Sequence, residues 1–190
     1  MNKPDHVIYI EGVGGLPKEQ ENLAELWLPH GLIVEHQHID WSGSDYLQRL
    51  QSIGERIIEL YEDTRVSLVG ASGGGKPALS LFAKYPNYVH RAITISSKMS
   101  PYVLGIGSQK AYPNLVISSE TFPDSLQLMT NEILQRILCL HPLSDEVVAP
   151  EEAELAGANL HIMEAHGHIE GITRAITTES QVIADFISLD

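Results

Sequence analysis

The chain has 190 residues, 43% hydrophobic and 19% charged, a composition that supports a substantial buried core and excludes a disordered or fibrous protein. Its formal net charge of -13 repels phosphate backbones and anionic lipid surfaces, so neither nucleic acid nor membrane is an expected partner. The apolar runs fall far short of the ~20 residues needed to cross a bilayer. The opening MNKPDHVIYIEG lacks the basic-then-apolar pattern of a secretory signal. The single cysteine, Cys139, lies in an apolar run and reads as a buried small hydrophobe. Cytoplasmic residence is expected.

His6 to Glu11 is a short apolar, β-rich run, a buried strand. Lys18 to Leu28 carries Leu23, Leu26 and Trp27 at helical spacing and is stopped by Pro29-His30-Gly31. Leu32 to Ile39 reads as a second strand. Ser44-Asp45 can cap a helix carrying Leu47, Leu50, Ile53, Ile57 and Leu60 at three- and four-residue intervals. Arg65 to Val69 is a third strand, followed by a glycine-rich loop and a helix from Gly73 to Tyr85. His90 to Ser96, Arg136 to Leu140 and Asn159 to Glu164 supply three more strands. Lys98 to Asn114 is irregular, with a helical stretch near Asp124 to Leu134, and a last helix runs from about Glu170 to Ile187. Strands separated by helices imply right-handed crossovers. The expected fold is therefore α/β: one domain over 1-190, with a doubly wound, mostly parallel sheet of about six strands and helices on both faces. A small lid-like insertion falls around 98-134.

In such sheets functional groups gather beyond the carboxyl ends of the strands. Gly12-Val13-Gly14-Gly15 follows the first strand and Ser72 the third. Asp145 follows the fifth, and His166 and His168 follow the sixth. A serine, an acid and a histidine thus fall on three loops at one edge, in the chain order Ser, Asp, His that acyl transfer on an α/β sheet requires.

The loop after the third strand has a second reading. Gly70 to Lys76 spells G-x-x-x-x-G-K, seven of the eight positions of a phosphate-binding P-loop. The eighth position should be Ser or Thr, whose hydroxyl binds magnesium, and here it is Pro77. His38-Ile39-Asp40 is the one candidate for the metal-orienting aspartate. The same residues contain Gly70-Ala71-Ser72-Gly73-Gly74, which fits the G-x-S-x-G nucleophile elbow. There, glycines two positions either side of a strained serine relieve clashes, and the helix start aims N–H groups at a developing oxyanion. Gly73 N–H is one expected donor and Val13 N–H the other.

With these motifs in place, the sequence resembles a compact α/β-hydrolase fold protein over essentially its whole length. VSLVGASGGG resembles the family's elbow with Ser72 as nucleophile, and PLSDEVVAP its acid loop with Asp145. HGHIEG resembles its histidine loop with His168, and IEGVGG its oxyanion loop. In that last motif Glu11 stands where the family often has His or Pro. A carboxylate there is compatible with an oxyanion hole only if it is bonded or turned away. Ser144 and Glu146 compete with Asp145, and His166 with His168, whose Gly-His pairing favours it.

The resemblance implies a lidless or small-lid serine hydrolase cutting a carboxylic ester or related acyl bond of a small-molecule substrate, with no cofactor and no metal. A non-catalytic binding module on the same fold is the alternative, and a P-loop NTPase a third. The short insertion implies short acyl groups, an expectation that faster turnover of long-chain esters would overturn. Trp41, Met99, Tyr102 and Ile169 flank the same strand ends as possible pocket walls. Lys76 reads as a solvated helix residue or a contact for an anionic substrate tail. His36 and His38 read as a solvated face, and His161 as packing or surface.

Overall fold

Six runs of alternating apolar residues assemble into one sheet: β1 (Asp5–Ile10), β2 (Leu32–Gln37), β3 (Arg65–Ala71), β4 (Val89–Ile95), β5 (Ile137–Ser144) and β6 (Asn159–His166). The computed structural model describes residues 3–14, 22–100 and 106–189, with backbone alone at 106–108. Strand order is β2-β1-β3-β4-β5-β6, and every neighbouring pair is parallel.

Side chains alternate across the sheet, so each strand feeds two cores. From β1, Val7 and Tyr9 enter one core while Ile8 and Ile10 enter the other. The first core is closed by α1 (Leu23–Trp27), α8 (His168–Ile176) and α9 (Ser180–Ser188), through Trp27, Ile172 and Ile183. The second is closed by α2 (Tyr46–Tyr61), α3 (Gly75–Lys84) and α5 (Pro113–Gln127), through Ile53, Phe82 and Phe122. Cys139 is buried there as a free thiol. A buried Val, Leu or Ile side chain contributes about 1.5–3 kcal/mol, so covering both faces is the main stabilising term. No helix among the described residues is long and apolar enough to cross a membrane.

Two expected elements differ. The last helix is broken into α8 and α9 at Thr177-Thr178-Glu179, where Thr177 Oγ1 donates to Thr173 O (2.7 Å) and Glu179 N–H to Arg174 O (2.9 Å). Hydroxyls that bond the preceding turn compete with the next helical turn, and the apolar periodicity that continues through the break conceals it. Between β4 and β5 the chain is more helical than its Gly, Pro and Ser content suggests. It holds α4 (Ile106–Ala111), α5, α6 (Asn131–Leu134) and no long irregular run among the described residues. Pro113 occupies the first turn of α5, where a missing N–H costs nothing. The expected helix start before Leu23 and pocket residue Tyr102 lie outside the described residues.

The start of α2 is capped from a distance. Asp45 holds the N-cap position without a side-chain bond to the helix; Asn114 Oδ1 instead accepts from Tyr46 N–H at 3.0 Å. The Asn114 amide nitrogen donates to Asp40 O (2.7 Å) and Asp45 Oδ1 (2.9 Å), and the residue is fully buried. One side chain thus ties α5 to α2 and to the loop after β2. Asn114→Ala is expected to lower the unfolding free energy by about 3 kcal/mol, the cost of leaving several buried groups unpaired. Urea denaturation of the two proteins checks this, and a loss below about 1 kcal/mol would mean the clamp contributes little.

Candidate active site

The chain leaves β1 toward the sheet edge at β2 and returns across β1 to β3, so β1 and β3 flank the topological switch point. Loops leaving neighbouring strands in opposite directions open a crevice there. The loops after β1 and β3 carry Gly12-Val13 and Ser72 into it.

Ser72 stands between β3 and a 3-10 turn, Ser72–Gly74, that leads into α3. Its φ is 50°, a left-handed conformation that non-glycine residues rarely adopt. The turn closes because its neighbours lack side chains: a Cβ at Gly74 would overlap the carbonyl oxygen of Ile10, and one at Gly70 would overlap that of Gly74. The loop after β1 lies equally close, since a Cβ at Gly12 would come within 2.7 Å of Ser72 Cβ and 3.2 Å of Gly73 N. Val13 and Gly73 both line the cavity beside Ser72.

Three of the sequence-selected side chains meet. His168 Nε2 lies 2.9 Å from Ser72 Oγ, and His168 Nδ1 lies 2.8 Å from Asp145 Oδ2. The acid and base are withdrawn from water, with Asp145 1% and His168 7% exposed at the side chain. The other carboxylate oxygen, Asp145 Oδ1, accepts the N–H groups of Val147 and Val148, both at 2.8 Å. One oxygen is therefore fixed to the backbone and the other to the imidazole, which presents its far nitrogen to the hydroxyl. An imidazole so held is oriented to take a proton from that oxygen.

The competing residues are placed elsewhere. His166 is exposed and its Nδ1 meets Ser144 Oγ at 3.0 Å, which also occupies Ser144. Glu146 accepts the backbone N–H of His168 at 3.0 Å and does not touch its ring. Glu11 is buried, and its carboxylate is bonded by His38 Nδ1, with His36 Nε2 at 3.7 Å. Both histidines belong to the β2 side, across β1 from Ser72, so the carboxylate is turned away from the crevice. His36 and His38 are exposed, as read, and from that solvated face they partner a buried acid. Burial, with His38 adding to it and Glu11 opposing, holds the His36 pKa below its ordinary value. His161 bonds Glu179 at 3.3 Å.

The cavity holds about 330 Å³. Tyr112 and Leu115 from the β4–β5 insertion and Val147 and Val148 from the acid loop form its apolar walls. Trp41 and Met99 are core residues outside that lining, and Ile169 is exposed. Lys76, read as a solvated helix residue or a contact for an anionic substrate tail, is buried in the cavity wall at 5% exposure.

No family model and no curated protein matches the sequence. Solved structures do match. A metagenome-derived lipolytic enzyme is 17% identical, covering 97% of this chain and 91% of its own with a TM-score of 0.66. Est1E from Butyrivibrio proteoclasticus is 16% identical over 100% of this chain and 90% of its own, with a TM-score of 0.67. A monoacylglycerol lipase from Paleococcus ferrophilus is 14% identical over 97% and 96%, with a TM-score of 0.63. The six-stranded parallel sheet and these likenesses give the α/β-hydrolase fold.

Gly74→Ala tests the closeness of the turn. The added methyl meets backbone on β1, which cannot rotate aside. A loss of about 1–3 kcal/mol in unfolding free energy is expected, measured by chemical denaturation; an unchanged midpoint would show that the turn has room.

Proposed function

With the α/β-hydrolase fold as premise, we propose that the protein is a serine hydrolase that cleaves a carboxylic ester or a related acyl bond. The observation that carries this reading is the hydrogen-bonded chain from Ser72 Oγ through His168 to the buried Asp145. The likeness in fold to a lipolytic enzyme, a monoacylglycerol lipase and a thioesterase domain supports the same reaction class.

Ser72 Oγ attacks the acyl carbon while His168 Nε2 takes the hydroxyl proton. The oxyanion that forms is held by the Val13 N–H from the loop after β1 and the Gly73 N–H at the turn into α3. As the tetrahedral intermediate collapses, the bond to the leaving oxygen breaks and His168 returns the proton to it, which leaves an acyl-serine. Water, deprotonated by His168, then attacks that acyl group and releases the acid and free Ser72. Asp145 keeps Nδ1–H in place and stabilises the imidazolium without taking the proton. The helical insertion between β4 and β5 is a small lid, and the single domain acts on a small molecule with no metal or organic cofactor.

Labelling with a fluorophosphonate is expected to give one adduct, on Ser72, absent from Ser72→Ala, when read by intact mass and peptide mapping. No adduct on folded protein would turn the reading toward a module that only binds its ligand. His168→Gln is expected to lower kcat/KM on 4-nitrophenyl butyrate by at least about 1,000-fold, because no group then accepts the serine proton. Unchanged turnover would remove His168 from the role.

A further inference from the structure

The cavity beside Ser72 contains a cation that the acyl-transfer steps do not use. Lys76 is the second residue of α3, four positions after Ser72, and shares that lining. Its ammonium donates to Ser119 Oγ at 3.2 Å and lies 5.7 Å from the Phe122 ring centroid. No carboxylate among the described residues forms an ion pair with it. The nearby Glu152 is engaged by Lys98, whose Nζ sits 2.7 Å from Glu152 Oε1.

Three circumstances make this lysine costly. It is removed from water, it faces a second cation in Lys98, and it sits at a helix N-terminus, the positive end of the helix dipole. Burial first, then Lys98, with Glu152 in opposition, pushes its pKa down to about 8. A carboxylate entering the cavity would relieve all three at once, because it supplies the missing counter-charge at a helix start. Of the two lysines that line the cavity, Lys98 is already paired with Glu152, which leaves the Lys76 ammonium and the Ser119 hydroxyl, a match for a monoanion.

Resting on the serine-hydrolase reading, we infer that the acyl part of the substrate ends in a carboxylate, which Lys76 binds while Ser72 attacks the acyl carbon. The acyl part is assigned to this wall because the leaving group departs toward His168, whereas Lys76, Ser119 and Leu115 belong to α3 and α5. Lys76 is on this account a specificity residue, outside the proton transfers.

The test compares 4-nitrophenyl monoesters of succinate, glutarate and adipate with neutral 4-nitrophenyl esters of equal chain length, after subtraction of the uncatalysed rates. The best monoester is expected to exceed its neutral counterpart in kcat/KM. In Lys76→Met, which keeps the length of the side chain, that ratio is expected to drop about 10- to 100-fold, the worth of one charge-assisted hydrogen bond. A ratio cancels any general loss of activity from altered packing. In the wild type the ratio should also fall as pH rises through about 8, as Lys76 loses its proton while the substrate stays charged. The charged groups facing Lys76 are Lys98 and Glu152, which are paired with each other at 2.7 Å.

A ratio near one in the wild type, or one unchanged in Lys76→Met, overturns the inference while the esterase reading stands. If no ester of either kind is turned over, calorimetry with glutarate on Ser72→Ala separates the two claims. Binding lost in the double variant with Lys76→Met supports the anion site without the hydrolase, and no binding overturns it.

Discussion

The left-handed backbone at Ser72 is the constraint on which the site depends. A serine at φ 50° is held there only because β3, the start of α3 and the loop after β1 approach so closely that Gly70, Gly74 and Gly12 have no room for a Cβ. The strain is offset by the packing of two buried strands, Ile8 and Ile10 from β1 with Leu68 from β3, which hold the turn shut. It has one chemical result: the hydroxyl is thrust out at the strand end, over N–H groups not yet committed to the helix, where His168 meets it.

Around that fixed point the site divides into parts with different tolerances. The strand ends fix the contact between Asp145 and His168, because the two residues leave adjacent parallel strands whose last registered pair is Ser144 with His166. The cavity walls are not so fixed. Tyr112, Leu115 and Ser119 come from the insertion after β4, and Val147 and Val148 from the acid loop. The chemistry belongs to the sheet and the selectivity to what is laid over it, the usual division in open α/β folds. Asn114 joins the two, since it caps α2 and begins the helix that supplies Leu115 and Ser119.

Most of this was legible in the sequence. Six strands, their parallel sense and the three loops bearing Ser72, Asp145 and His168 follow from apolar runs spaced by helical stretches. What was illegible has physical causes. The break between α8 and α9 is made by hydroxyl-to-backbone bonds at Thr177, which leave the spacing of Ile172, Ile176, Ile183 and Ile187 untouched. The burial of Lys76 depends on Ser119 and Phe122, more than forty residues away in sequence. Glu11 alarmed as a bare carboxylate beside an oxyanion loop. Its two histidines, His36 on β2 and His38 just past its end, are brought alongside only by the sheet order, and no local pattern reports that.

The sheet order also sets when Ser72 and His168 can meet. Ser72 and His168 are 96 residues apart, and the histidine hangs from β6, the edge strand and the last to be synthesised. Gly167 N–H donates to Ser144 O at 2.8 Å, so the ladder between β5 and β6 must close before the imidazole reaches the hydroxyl. Until that ladder is closed the contact between Ser72 and His168 does not exist, so it is a property of the completed sheet and of neither loop alone.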